Sequence, residues 1–230
     1  ETSSFVRFNR GLVRQPGDVS QRDFTLRLIQ GRKQGQAQLS LTGVFEEDLG
    51  RCTARLQELR EELQDIPDDP FLCQPDTVQS TERIGENRLP DSADMVADII
   101  GSVNDDDLVG ILASGTVVRG FASSRGQRNW FSAHPFSLDW CQYLSGDQAV
   151  KSTYSGFDWD RSVLGDKMAS ARRKLQVLRQ PMQVVQPGQY RTYLTPTAVD
   201  ELLSLCSWGG FSASATQIGM TPLKYLASGD

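Results

Sequence analysis

The feature that most constrains this chain is a change of hydrophobic period in its first third. From Gln36 to Thr42, Ala37, Leu39 and Leu41 alternate with Gln36, Gln38 and Ser40, the period of two of a half-buried antiparallel strand. A few residues later Leu49, Cys52, Leu56, Leu59 and Leu63 recur three and four apart, one face of a helix from about Glu46 to Gln64. Glu46, Glu47 and Asp48 in its first turn suit the positive end of the helix dipole, and Ile66-Pro67-Asp68-Asp69-Pro70 stops it. A chain that switches period this way builds sheets and helices in separate blocks.

The rest keeps the pattern. Before Gln36, Phe5 to Asn9 and Leu12 to Gln15 read as strands around a turn at Arg10-Gly11. Arg22 to Gln30 reads as a third strand, with Phe24, Leu26 and Leu28 on one face. Gly31 and Gly35 bracket the turn that follows. Pro75 to Pro90 reads as polar and irregular, and a short helix from about Ser92 to Val103 carries Met95, Val96, Ile99 and Ile100. Strands are then expected at Leu108–Ala113, Val117–Ala122, Asn129–Ala133, Ser137–Leu144 and Ala149–Ser155. Turns fall at Ser114-Gly115 and Ser145-Gly146-Asp147. A helix from about Arg161 to Arg179 places Leu164, Met168, Ala171, Leu175 and Leu178 on one face. A strand at Tyr190–Leu194 leads to Thr195-Pro196, a cap and first-turn proline for a helix reaching about Cys206 and ending at Gly209-Gly210. Strands and helices mix without strict alternation, so the fold class is α+β: antiparallel sheets with packed amphipathic helices. The expected division is an N-terminal α+β domain over 1–180 and the start of a β-rich C-terminal domain over 181–230.

Composition excludes several functions. With 230 residues, 38% hydrophobic and 23% charged, the chain can bury a core. A net charge of −5 argues against direct nucleic-acid binding, which draws on clustered Lys and Arg. No apolar run spans a membrane. Cys52, Cys73, Cys141 and Cys206 form no CxxC pair, so reduced thiols and a cytoplasmic location are expected. The sequence starts without Met and with Phe5-Val6-Arg7-Phe8 already strand-like, and Ala227-Ser228-Gly229-Asp230 stops in a turn. Both ends are expected to be cut from something longer.

Each candidate site has a plainer reading beside it. His134 is the only histidine, too few for a histidine-rich zinc site, and no G-x-S-x-G elbow presents a serine. It reads as structural. Asn104-Asp105-Asp106-Asp107 lacks the glycine and glutamate of a calcium loop and reads as a solvated turn. Arg172-Arg173-Lys174 with Arg179 reads as the wet face of its helix. Gly110, Gly115, Gly120 and Gly126 match neither dinucleotide nor phosphate-loop spacing. Trp130, Trp140 and Trp159 read as core or strand-surface aromatics, with an exposed peptide-binding cleft as the other use.

The segment Val118-Arg119-Gly120-Phe121-Ala122-Ser123-Ser124-Arg125-Gly126 resembles the G-F-x-N-S-x-G signature of the TldD/PmbA family, with Ser123 where the family usually has Asn. Phe136-Ser137-Leu138, Ser145-Gly146-Asp147-Gln148-Ala149 and Arg191-Thr192-Tyr193-Leu194-Thr195-Pro196 follow in the family's order, and the resemblance runs diffusely to Leu226. It implies an N-terminal α+β region followed by a β-rich region continuing beyond residue 230. One branch, TldD, is a zinc-dependent peptidase with a His-Glu-x-x-x-His helix; its sister, PmbA or TldE, lacks the motif and pairs with it. On Leu202-Leu203-Ser204-Leu205-Cys206-Ser207-Trp208-Gly209, Ser204 and Gly209 stand at the histidine positions and Leu205 at the glutamate. Phe211-Ser212-Ala213-Ser214 and Gly219-Met220-Thr221-Pro222-Leu223 resemble the PmbA branch.

The resemblance therefore implies no catalytic, metal-ligating or cofactor-binding residue in this chain, with zinc only on a TldD-like partner. Whether the chain is itself an enzyme stays open. The function it implies is a non-catalytic subunit of a TldD-type zinc metallopeptidase assembly acting on peptides or unfolded proteins, with a TldD-like paralogue or itself as dimer partner. An extended peptide could be held by adding a strand to a sheet edge. The alternatives are a homodimeric binding or scaffold protein with no proteolytic role, and a hydrolase using Cys206 or a serine of Ser212 to Ser214 with His134 as base. The family's association with DNA gyrase is a further possibility that the acidic charge does not support.

Overall fold

A computed structural model describes residues 1–75, 77–104, 106–146, 148–207, 209–221 and 223–225. The chain divides into two compact units, Glu1–Met182 and Gln183–Asp230, and the α+β class holds: strands and helices are both abundant and the sheets are open.

The first unit begins with the hairpin β1 (Thr2–Asn9) and β2 (Leu12–Ser20). Arg10 and Gly11 both have left-handed φ, 53° and 69°, which suits a tight hairpin turn. The next hairpin, β3 (Asp23–Gln30) and β4 (Lys33–Ser40), is a separate two-stranded sheet. Helix α1 (Phe45–Asp65) lies on it and buries Leu59 and Leu63. The opening strands thus divide between two sheets, and Gly35 belongs to β4, opposite Leu28, instead of to the turn.

The main sheet is organised by β6 (Asp107–Ala122), sixteen residues without a break. The first half of β6 pairs with β1 on one side. Along its other side run β8 (Phe136–Ser145) and then β7 (Arg128–Ala133), both antiparallel and in one continuous register. Strand β9 (Gln148–Gly156) extends the sheet beyond β8, and β5 (Thr81–Ile84) lies parallel to β7.

Two expectations fail here. Thr81–Ile84, inside the stretch read as irregular, is a strand because β7 supplies its ladder. Ser114-Gly115 is no turn: it continues β6, and Gly115 is there for close approach. A Cβ on Gly115 would lie 2.2 Å from the Thr2 carbonyl and 2.5 Å from Ser3 Cα.

Helices α2 (Ser92–Val103) and α3 (Arg161–Leu178) cover one face of this sheet. Even-numbered strand residues point under them: Val6 and Phe8, Leu108 and Leu112, Phe136, Leu138 and Trp140, and Tyr154 meet Met95, Ile99, Val103, Leu164 and Met168. Phe136 packs edge-on against Tyr154 and Trp159, at centroid distances of 4.7 and 5.0 Å. Asp98 ties the two helices at the rim, accepting from Trp159 Nε1 at 2.9 Å and Arg161 Nε at 2.8 Å.

The second unit holds α4 (Pro196–Cys206) and α5 (Ala213–Gln217). Thr195 caps α4, accepting from the Ala198 N–H at 3.3 Å, with Pro196 in the first turn. The strand expected at Tyr190–Leu194 does not form: these residues carry no ladder partner and their side chains are exposed. Asp147 of the expected β8–β9 turn, and Leu226 to Asp230, lie outside the described residues.

The close approach at Gly115 and the start of α1 each generate a prediction. Gly115→Ala is expected to force β1 off β6 and cost about 1–3 kcal/mol, the range for overpacking, read by urea unfolding, with β1 amides losing exchange protection before the rest of the sheet. At α1, the Thr42 N–H, helped by the Gly43 N–H, the Thr42 hydroxyl and Arg51, holds the Asp48 carboxyl below its ordinary value of 3.8. Arg55 hydrogen bonds lower Glu62 in the same way. Because the folded values are depressed, this stabilisation is fully present above the ordinary carboxylate range and is lost as pH falls through the lowered values. Amide protection in the first turn of α1, relative to the unfolded chain at the same pH, should therefore fall on acidification below that range, and Asp48→Asn should remove most of that dependence.

Candidate functional site

Two places hold the residues that the sequence singles out. The first is a cleft of about 280 Å³ in the first unit, where the N-terminus of α2 meets the start of β1. Its walls are Ser4, Asp18, Asp91, Ser92, Ser114, Thr116 and His134, over Leu89 and Pro90. The pleat explains the gathering: Thr116 lies opposite Thr2 in the β1–β6 ladder, and His134 stands in the link from β7 to β8 beside it. Thr116 Oγ1 and His134 Nδ1 are 3.0 Å apart. Ser4 donates to Asp18 at 2.6 Å, and the Ser92 and Ser114 hydroxyls are 3.4 Å apart.

Chemically this is a wet, hydroxyl-rich hollow with two carboxylates. Thr116 is the one hydroxyl bonded to the imidazole, and among the described residues no group orients the other ring nitrogen, as nucleophile activation requires. Cys206 and Ser212–Ser214, the other nucleophiles weighed, lie in the second unit. Cys206 sits in α4 with its Sγ 3.9 Å from the Leu202 carbonyl. Ser212 Oγ caps α5, accepting from the Ala215 N–H at 3.2 Å. No sequence motif announces the cleft, because it is assembled from five separate segments, with hydroxyls from three of them.

The second place is α4. Ser204 and Leu205 lie in its last turn with exposed side chains, while Gly209 stands beyond the helix end with φ at 88°. Trp208 and Pro222 lie outside the described residues. The Ser204 carbonyl is engaged in capping, accepting from the Ser207 N–H at 3.1 Å and its hydroxyl at 2.7 Å. A zinc ion needs thiolate, imidazole or carboxylate ligands. A serine hydroxyl, a leucine and a glycine at these three positions do not fit one. Among the described residues no group of three or more His, Cys, Asp or Glu side chains could hold a metal ion.

One residue of the acidic turn, Asp106, and one of the basic helix face, Arg172, are not solvated as expected. Asp106 accepts from Arg172 Nε at 2.6 Å and from the fully buried Gln142 at 2.8 Å. Arg172 also donates to the Ser102 carbonyl and, at 3.1 Å, to the Val103 carbonyl, closing the C-terminus of α2. Arg173, Lys174 and Arg179 remain exposed, as read, and Asp105 lies outside the described residues. The reason is geometric: α3 crosses the end of α2, where bare carbonyls attract a cation.

Comparison with known proteins bears on the fold. No family model matches the chain, and no curated protein matches its sequence. Solved structures do match. TldE from Thermococcus kodakarensis aligns over 76% of this chain and 42% of its own, with TM-score 0.56 and 14% identity. A protein from Thermotoga maritima named as a proposed modulator of a DNA gyrase aligns over 97% of this chain and 52% of its own, with TM-score 0.65 and 12% identity. A protein of the same description from Bacteroides thetaiotaomicron aligns over 94% and 52%, with TM-score 0.67 and 15% identity.

The chain has the fold of TldE and of these gyrase-modulator proteins. It spans about half the length of each. Among the described residues no helix is long and apolar enough to cross a membrane.

The Asp106–Arg172 pair is testable. Arg172→Met should destabilise by about 1–3 kcal/mol, because it leaves a partly buried carboxylate and helix-end carbonyls without their donor. Adding Asp106→Asn should recover part of that loss, which a double-mutant cycle by urea unfolding reads directly.

Proposed function

We propose that the chain is the PmbA/TldE-like, non-catalytic part of a TldD-type zinc metallopeptidase assembly that acts on peptides or unfolded proteins. The observation that carries this reading is the conjunction of a TldE fold with α4. The fold is shared over most of the chain. The helix that resembles the family's zinc helix presents Ser204 and Leu205, with Gly209 beyond its end. A subunit with this surface shapes or gates a site whose metal belongs to another chain. Its partner in that case is a TldD-like paralogue carrying His-Glu-x-x-x-His, and its compartment is the cytoplasm. The 1–180 region supplies the N-terminal α+β part, and residues from 181 onward begin the C-terminal domain that the longer relatives complete.

Affinity capture from the native cells tests the reading. Recovery of a His-Glu-x-x-x-His paralogue, with zinc in the complex and less than about a tenth of an equivalent in this chain alone, is the expected result. Stoichiometric zinc in the isolated chain would sink it. A self-associating chain with no such paralogue would instead support a homodimeric scaffold.

A further inference from the structure

Among the described residues, one side of β6 is left open along part of the strand. On the side of β6 that carries β1, pairing runs from Phe8 opposite Gly110 to Thr2 opposite Thr116 and stops. Strand β6 continues to Ala122, held only on its other side by β7. The direction of its polar groups follows from the ladder. The Gly115 N–H donates toward β8, to the Pro135 carbonyl at 3.2 Å, while the Leu108 carbonyl points the opposite way, accepting from the Gly11 N–H at 2.9 Å. Since direction alternates along a strand, the N–H and C=O groups of Val118, Gly120 and Ala122 point out of the open edge. Among the described residues none has a hydrogen-bond partner there. An edge of this kind is a template for an added strand.

Its side chains say what would fit. Val118 and Gly120 share a face with the exposed Trp130 and Ile84, through the pairs Gly120–Trp130 and Val118–Ser132 and the Ser132–Ile84 pairing beyond. A Cβ on Gly120 would lie 3.3 Å from two atoms of the Trp130 ring, so the ring leans over the glycine toward the open edge. The opposite face carries Arg119, Phe121 and, beyond Phe131, Arg83. Among the strand residues of this end the charges are Arg83 and Arg119 on that opposite face and Arg128 and Glu82 on the Trp130 face, three cations to one carboxylate in a chain whose net charge is −5. A strand laid on the edge sets alternate residues against Trp130 and Val118 on one face and against Arg119 on the other.

The geometry points to the Val117–Ala122 edge of β6 as a docking site for an extended, acidic segment of another protein, bound as an antiparallel strand in line with β1. Apolar side chains of that segment lie over Gly120 against Trp130, and carboxylates alternate with them beside Arg119. What the captured strand serves rests on the subunit reading; the capture itself rests on the sheet alone.

The test is an anisotropy titration of a fluorescent acetyl-(Glu-Val)₃-amide peptide against the chain. Saturable binding is expected, weakened about tenfold or more when lysine replaces each glutamate, as charge complementarity requires. Valines oppose the outward-pointing β6 residues, so N-methylation of the valine amides should abolish binding, while N-methylation of the glutamate amides should leave it nearly unchanged. Val118→Pro removes one outward N–H without touching the β7 ladder and should weaken binding about tenfold. If that variant fails to fold, the two methylated peptides still decide. Absence of saturable binding, equal binding of both methylated peptides, or equal binding of the lysine peptide would overturn the proposal. So would self-association through this edge, seen as a dimer that Val118→Pro dissolves. Capture of a zinc-bearing paralogue is read in a separate experiment, so either idea can fail without the other.

Discussion

The ladder on both sides of β6 is the interaction that the first unit depends on. Sixteen residues in one unbroken extended run allow β1 to pair on one side and β8 then β7 on the other. Each pairing fixes a register, and each register fixes which side chains point under α2 and α3. A slip of one residue would turn Leu108, Leu112 and Ser114 to solvent. Gly115, at the midpoint, lets β1 lie against this strand, and Thr116 beside it forms the wall of the polar cleft. Core, cleft and open edge are therefore three consequences of one strand, read at successive positions along it.

Helix cover then follows from where charge can be satisfied. The end of α2 would present bare carbonyls to the start of β6, and α3 answers with Arg172, which Asp106 also holds. At the other rim Asp98 joins α2 to Trp159 and Arg161. Both links bridge segments more than sixty residues apart and sit where apolar packing thins out. They fix the helices' positions on the sheet more than they add to its stability, since partly exposed pairs contribute little.

How much of this was legible depends on where the information lies. Helices α1, α2, α3 and α4 were readable almost to the residue, because each carries its own apolar stripe and stop signal. The alternating strands were readable too, whereas their partners were not. Phe5 to Asn9 and Gln36 to Thr42 look alike in period, yet one enters the main sheet and the other a separate hairpin under α1. Ser114-Gly115 reads as a turn because glycine punctuates local sequence; only the approach of Thr2 and Ser3 shows it to be a strand interior. Thr81–Ile84 exists as a strand through β7, and Tyr190–Leu194, equally strand-like, finds no partner. Arg172 illustrates the same limit for charge: within its own helix it belongs to a wet face, and the carbonyls that claim it come from elsewhere.

The same distinction bears on function. The resemblance to the TldD/PmbA family rests on G-F-A-S-S-R-G around Gly120 and on α4, and the two regions carry different kinds of information. On α4 the informative fact is chemical: Ser204, Leu205 and Gly209 bring no imidazole, thiolate or carboxylate, and that is visible in the sequence itself. Around Gly120 it is topological. A glycine beside a phenylalanine says little until the sheet shows that Gly120 faces an unpaired edge and lies under an exposed tryptophan. The signature is the far end of a strand and the turn after it: Gly120 to Ala122 close β6, and Ser123 to Gly126 turn toward β7. At Gly120 the missing side chain exposes both a hydrogen-bonding backbone and an aromatic surface. Motif and open edge overlap at Gly120 to Ala122, a stretch of β6 that β1 does not reach.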